Sequence, residues 1–209
     1  MCYRLAMLRV GLTGGIATGK STVSRLFVEC GARLIDADVL ARETVAPGTP
    51  ACREIAAAFG RGMLRADGSV DRERLGAAVF ADPAKRARLE AIIHPHVFAE
   101  EERLFRTIAA EDPHAVVLFD AALLIETGAH TRKDRMIVVT ADEPTQLRRL
   151  MDRNKLTEED ARTRIRSQMP LTEKVAVADH VIDGTLPPEQ LRAEVRRIYE
   201  ELARQSQER

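Results

Sequence analysis

The stretch Arg9 to Thr22, RVGLTGGIATGKST, sets four residues at a spacing that suits one chemistry. Gly14, Gly19, Lys20 and Ser21 satisfy G-x-x-x-x-G-K-[ST], the pattern of a loop that cradles phosphates. Triphosphate oxygens are held by backbone N–H groups that have to come within hydrogen-bonding distance, so glycine is favoured at 14, 15 and 19. A helix starting near Gly19 would aim the positive end of its dipole at the same anion. Lys20 adds a mobile charge for the β- and γ-phosphates, and the Ser21 hydroxyl is the expected Mg²⁺ ligand. Gly14, Gly15, Ala17, Thr18, Gly19, Lys20, Ser21 and Thr22 are therefore the expected nucleotide contacts. The alternative is a glycine turn with Lys20 as a solvated charge. Against it, the apolar run Val10 to Leu12 precedes the turn and a helix-competent run follows it. Lysine is also scarce: only Lys20, Lys85, Lys133, Lys155 and Lys174 among 32 basic residues. The stretch reads as a nucleoside triphosphate site.

In open parallel sheets, ligands sit at the carboxyl ends of strands, so aspartates at strand ends come next. Asp36 and Asp38 follow one predicted strand and Asp120 another. A kinase needs one carboxylate to accept the proton of an attacking hydroxyl and others to hold Mg²⁺ through its waters. Each aspartate alone could equally be a helix N-cap, worth about 1 kcal/mol. Three together at the mouth of a phosphate loop favour the functional reading. Arg148, Arg149, Arg153, Arg162, Arg164 and Arg166 crowd one segment. Arg149 and Arg153 share a helix face, and so do Arg162 and Arg166. Arginine suits phosphate clamping, and Arg149 and Arg153 are the two read as functional; the others read as a solvated face opposite Glu158, Glu159 and Asp160. On residue type alone, His94 before Pro95 reads as structural.

The elements that would position these residues alternate. A helix is predicted over Thr22–Cys30, closed by Gly31, then a strand over Ala32–Ile35. Val39 to Glu111 is almost entirely helical in pattern, punctuated at Pro47-Gly48-Thr49-Pro50 and at Gly60 to Gly68, with Asp82-Pro83 as a helix start and an interruption at His94-Pro95. Continuous apolar runs at Ala115–Phe119 and Met136–Val139 read as buried parallel strands. Asp142 and Pro144 open a helix to Arg153. After the arginine-rich segment come a short helix, a strand over His180–Asp183, and a closing helix from Pro187-Pro188 that frays in Gln205–Arg209. The pattern predicts an α/β fold: a five-stranded doubly wound parallel sheet with a helical insert.

Composition bounds the rest. The chain has 209 residues, 45% of them hydrophobic, enough for a proper core. Its 32 acidic and 32 basic residues balance, so no global field recruits nucleic acid or an anionic membrane. No apolar run approaches the roughly 20 residues of a membrane span. The opening MCYRLAMLRV is too short and too interrupted by arginine for a signal peptide. Cys2, Cys30 and Cys52 lack metal-ligand spacing and suit a reduced, cytoplasmic setting.

GLTGGIATGKSTV, LIDADVLARE, LEAIIHPHV, DAALLIE, QLRRLMDR and ARTRIRSQ follow one another in an order that resembles the dephospho-CoA kinase family, from about Arg9 to Gly184. The resemblance implies a phosphate-loop kinase fold with a helical CoA-binding subdomain and a small lid. It implies ATP and dephospho-CoA as substrates, Mg²⁺ as cofactor, and phosphorylation of the ribose 3′-hydroxyl, the last step of coenzyme A synthesis. Carried over, it makes Asp38 the general base and Asp36 its neighbour near the metal. It puts His94, with Asp36 and Asp120, in the acceptor site, reversing the structural reading of His94. It assigns Arg149 and Arg153 to the lid region that closes over ATP. The implied divisions are a nucleotide-binding core over 9–43, 112–149 and 176–204, the CoA-binding subdomain over 44–111, and the lid over 150–175. Few large apolar residues lie between Arg153 and Pro170, so little core is expected to hold the lid shut.

There are departures from the family pattern. The family loop usually reads GGIGSGKS, whereas Ala17 and Thr18 stand here, and a methyl at 17 requires that residue to keep a negative φ. Ala122 stands where the family usually has proline. Asp183 runs directly into Gly184 where D-N-x-G is usual. Another small-molecule kinase of the phosphate-loop class, or a non-catalytic ATP-binding protein, remains an alternative. The long helical insert carrying Asp38 and His94 favours the large acceptor.

Overall fold

The computed structural model describes residues 6–80 and 82–209; Cys2 lies outside them. The chain runs β1 (Leu8–Gly14), α1 (Lys20–Cys30), β2 (Arg33–Asp36), α2 (Ala37–Thr44), α3 (Pro50–Phe59), α4 (Arg72–Phe80) and α5 (Pro83–Glu111). It continues with β3 (Val116–Asp120), β4 (Arg135–Thr140), α6 (Glu143–Asn154), α7 (Glu158–Arg166), α8 (Leu171–Val175), β5 (His180–Asp183) and α9 (Pro188–Gln207). It forms two compact units: Met1–Asp36 with Ile108–Arg209, and Ala37–Thr107.

The first unit holds the five-stranded sheet in the order β2-β3-β1-β4-β5, every pairing parallel. β1 lies between β3 and β4, where the strand order changes direction, so the loop leaving β1 opens at the crevice that such sheets use for ligands. β3 is buried along its whole length, which accounts for its unbroken apolar run. Leu8, Val10, Leu12, Val116, Leu118, Ile137, Val139 and Ile182 of the strands pack with Val23, Leu26 and Phe27 of α1. Leu191, Val195, Ile198 and Leu202, spaced three and four apart on α9, close the same core. Each fully buried side chain of this size stabilises the unit by about 1.5–3 kcal/mol.

Gly31 closes α1 as expected, its N–H on the carbonyls of Phe27 and Val28. Asp142 caps α6 by accepting from the Thr145 N–H, and Asp82 accepts from Ala84 and Lys85 at the start of α5. The C-terminus differs from expectation. α9 continues to Gln207, and Ser206 is fully buried, donating to the carbonyls of Ala6 and His114. Arg209 pairs with Asp134, and Gln205 accepts from Arg135. Polar partners from the far ends of β1, β3 and β4 hold a stretch whose composition alone predicts fraying.

The second unit is helical, with Leu64 and Val70 forming an isolated bridge. Val45, Ala51, Cys52, Ile55, Val70 and Leu75 form its core, with Phe59, Leu89, Ile92 and Ile93 packed around them. The expected break at His94-Pro95 is absent, because α5 runs straight through Pro95. Proline removes one N–H donor from the helix, and Leu89, Ile92 and Ile93, packed on the core, hold the preceding turns in place. The resemblance puts the CoA-binding subdomain at 44–111, whereas the compact unit spans Ala37–Thr107 and includes α2. Residues 150–175 fall within the sheet unit.

Candidate active site

β1 ends at Gly14, and the chain turns through Gly15–Gly19 into α1. Gly19 has φ +102, open to glycine at no steric cost, and it supplies the carbonyl for the Thr22 and Val23 N–H groups. The Thr18 N–H bonds to Gly15 and the Ile16 N–H to the Gln168 side chain at 2.7 Å. Among the described residues no protein acceptor meets the backbone N–H groups of Ala17, Gly19, Lys20 and Ser21. Unpaired donors of one turn and the first turn of a helix form a ready anion site. Glycine at 14 and 15 has a second cause beyond the ligand: a Cβ there would meet the Val139 carbonyl at 2.5 Å and Gln146 Nε2 at 2.7 Å.

Ala17 departs from expectation. Its φ is +60, in the left-handed region and not at negative φ. For a residue with a Cβ this costs roughly 1–2 kcal/mol. The turn is held from outside: Ile16 and Ala17 pack on a cluster of Leu147, Leu150 and Ala161 with Met151, Leu156 and Ile165. That cluster also seats α7 against α6, so the arginine segment has more apolar support than its composition suggests.

Lys20 forms an ion pair with Asp120, the last residue of β3. Asp120 is 7% exposed, and burial pushes its carboxyl above the ordinary value, with neighbouring Asp36 adding to the rise. Lys20 and the Ser24 hydroxyl pull the other way. Asp36 and Asp120 are register partners on adjacent strands, so the chain brings two of the three strand-end carboxylates together. Both Asp36 and Asp38 are exposed, and Asp38 sits in the first turn of α2, in the helical unit. There too is His94, half-buried, its ring 5.8 Å from that of Phe98.

Arg149 donates to the carbonyls of Ala17 at 3.3 Å and Thr18 at 3.1 Å, and to Gly184 at 2.9 Å. One guanidinium thus ties the phosphate loop to the turn after β5. Gly184 is pressed so close that a Cβ would lie 2.0 Å from the Thr18 carbonyl oxygen. Glycine at 184 therefore has a packing reason of its own. Arg153 is exposed and bonds to Asn154; Arg162 pairs with Glu143 and Glu158, as the reading of a solvated face expects.

Three polar residues near the loop escaped the sequence reading. Gln146 donates to the Ile16 carbonyl at 2.8 Å, and Gln168 accepts from the same residue's N–H. Lys174 is fully buried, its ammonium 2.9 Å from the Ala122 carbonyl and 2.7 Å from Glu126. Thr13 donates to that same Ala122 carbonyl, so the segment leaving Asp120 is anchored twice. The scarcity of lysine that singles out Lys20 applies equally to Lys174. The glutamines carry no such signal.

Among the described residues, no group of three or more His, Cys, Asp or Glu stands together as a metal cage, and no helix is long and apolar enough to cross a membrane. Known proteins supply a further finding. The model of the dephospho-CoA kinase family matches residues 8–187. A dephospho-CoA kinase of Streptomyces avermitilis is 50% identical over 196 residues, covering 94% of each chain. One of Geobacter sulfurreducens is 50% identical over 191 residues, 91% of this chain and 96% of its own. The solved dephospho-CoA kinase from Campylobacter jejuni superposes with a TM-score of 0.71 at 26% identity, over 95% of this chain and 98% of that one.

Proposed function

This chain belongs to the dephospho-CoA kinase family, and on that premise we propose which residues carry the reaction. The enzyme transfers the γ-phosphoryl group of ATP to the ribose 3′-hydroxyl of dephospho-CoA, giving coenzyme A and ADP. The observation that carries the assignment of roles is the set of unpaired N–H groups at Ala17, Gly19, Lys20 and Ser21, beside a lysine held by a buried aspartate.

In this reading Gly14, Gly15, Ala17, Thr18, Gly19 and Thr22 shape the cradle, and its free N–H groups receive the phosphates. Lys20 leaves Asp120 for the β- and γ-phosphate oxygens and neutralises the charge that gathers there during transfer. Asp38 accepts the proton of the 3′-hydroxyl as that oxygen attacks phosphorus, while Asp36, Asp120 and His94 are the residues assigned to binding the acceptor. Arg149 keeps the cradle and the turn after β5 in register, and Arg153 approaches ATP from the neighbouring segment. The donor set fits Mg²⁺: the Ser21 hydroxyl, Asp36 and Asp120 would hold it. When bound, the ion would supply neutralising charge to the phosphates. Cys30 and Cys52 are free thiols, in keeping with a reducing cytoplasm.

The test is turnover of purified protein with ATP and dephospho-CoA, following ADP release and the 3′-phosphorylated product. Product formed only with dephospho-CoA as acceptor is the expected result. Equal or faster phosphorylation of a nucleoside or nucleoside monophosphate would overturn the acceptor assignment.

A further inference from the structure

Ile16 is held on both of its peptide groups by side chains from distant parts of the chain. Gln168, between α7 and α8, accepts from its N–H at 2.7 Å, and Gln146 of α6 donates to its carbonyl at 2.8 Å. Gln146 is 3% exposed, so its amide is committed to this contact in a dry environment. The next residue, Ala17, is the non-glycine residue of the loop at positive φ. An alanine left to itself would move to negative φ, and turning the 16–17 peptide would redirect the Ala17 N–H, one of the cradle's unpaired donors. Both glutamines also line a pocket of about 430 Å³ with Gly15, Ile165 and Arg166, beside the loop.

We propose that Gln146 and Gln168 are positioning residues that hold the two peptide groups flanking Ile16, Gln146 the 16–17 group and Gln168 the 15–16 group, and so keep Ala17 left-handed and the phosphate cradle formed before ATP arrives. The proposal rests on the reading of this loop as the ATP phosphate site. It follows that the two glutamines matter because residue 17 carries a methyl group: with glycine at 17 the same conformation needs no clamp. Gln168 also makes the cradle sensitive to the arginine segment, since it follows α7 directly in the chain.

The experiment compares Gln168→Leu, which deletes the acceptor, with Gln168→Glu, which keeps one, each made with alanine and with glycine at 17. With Ala17 in place, Gln168→Leu is expected to raise the KM for ATP about tenfold, because apparent affinity falls with the fraction of molecules whose cradle is formed. The kcat should change by less than about threefold, and Gln168→Glu should stay within about twofold of wild type on the same argument. In the Ala17→Gly background the KM effect of Gln168→Leu should shrink to about twofold or less. An effect of equal size in both backgrounds, or none in either, overturns the proposal. If Gln168→Leu is not soluble, Gln168→Ser carries the same comparison. Wild-type turnover of dephospho-CoA is the control: its failure would remove the functional reading, whereas its success with uncoupled variants would remove the clamp alone.

Discussion

In the sheet unit, charged side chains near the site are drawn inward. Lys20 pairs with Asp120, Lys174 is fully buried against Glu126, and Arg149 is spread over three carbonyls. In the helical unit most charges stay outside. Arg74 reaches Asp71, Arg103 pairs with Glu100, and Arg53 caps the Gly48 carbonyl, all at the surface. Glu101, 1% exposed, is the exception. The contrast has an energetic meaning. Burying a charge costs several kcal/mol unless partners offset it, whereas exposed pairs contribute about 0–1 kcal/mol. In the proposed reading, the charges buried around the loop are held in place for the nucleotide. The helical unit instead packs a small apolar core and keeps most of its charges at the surface.

Asp38 tests that division most sharply, because it is the residue of the helical unit proposed to do chemistry. Asp38→Asn is expected to lower kcat by about 10²–10⁴ while ATP binding, followed by equilibrium dialysis, is kept. Lost ATP affinity with normal kcat would move the base to Asp36 or Asp120. For Lys20→Ala, the expected loss in kcat/KM is about 10²–10³, with an unchanged circular dichroism spectrum. Near-normal turnover would sink the phosphate-loop assignment.

The same variant has a pH signature. Asp120 is raised above its ordinary value of 3.8, chiefly by burial, and Lys20 opposes that rise. An acid whose folded value lies above its unfolded one binds more protons when folded. Its contribution to stability is therefore fully present below 3.8 and is lost as pH rises through the folded value. Removing Lys20 widens that window. Lys20→Ala should match wild type best in acid and fall behind it progressively towards neutral pH in urea titrations. A constant gap would mean that Asp120 does not feel Lys20.

Lys174→Met should destabilise the sheet unit by about 3 kcal/mol, because Glu126 and the Ala122 carbonyl lose a buried partner. Adding Glu126→Gln should recover part of the loss, and a neutral single variant would refute the anchor. Smallest of all is Arg103→Ala, where Arg103 is exposed and Glu100 half-buried at the surface; its Tm should be indistinguishable from wild type. A clear drop in Tm would break the comparison between the two units.

Much of the positioning frame was legible in the residues. Continuous apolar runs mark β3 and β4, the glycine-lysine-serine spacing marks the loop, and Asp142 and Asp82 announce their helices. These signals are local: each needs only the period of an element or the chemistry of a cap. Asp36 and Asp120 could be placed at strand ends, but their neighbouring registers appear only once β2 pairs with β3. Pro95 misleads for the same reason in reverse, since a local helix breaker is outweighed by packing on a core that sequence cannot display.

What the sequence determined by itself was therefore the strand–loop–helix that binds phosphate, the parallel α/β class, the strand-end carboxylates and the family. Only the tertiary structure decided that Ala17 is left-handed, that Gln146 and Gln168 meet on one residue, that Lys174 is buried, and that the tail at Ser206 is docked. Those contacts join residues 130, 152, 52 and 200 positions apart. A hydrogen bond between such distant residues leaves no period or spacing in the chain; it exists because the sheet and its helices, once packed, leave a buried polar group that has to find a partner.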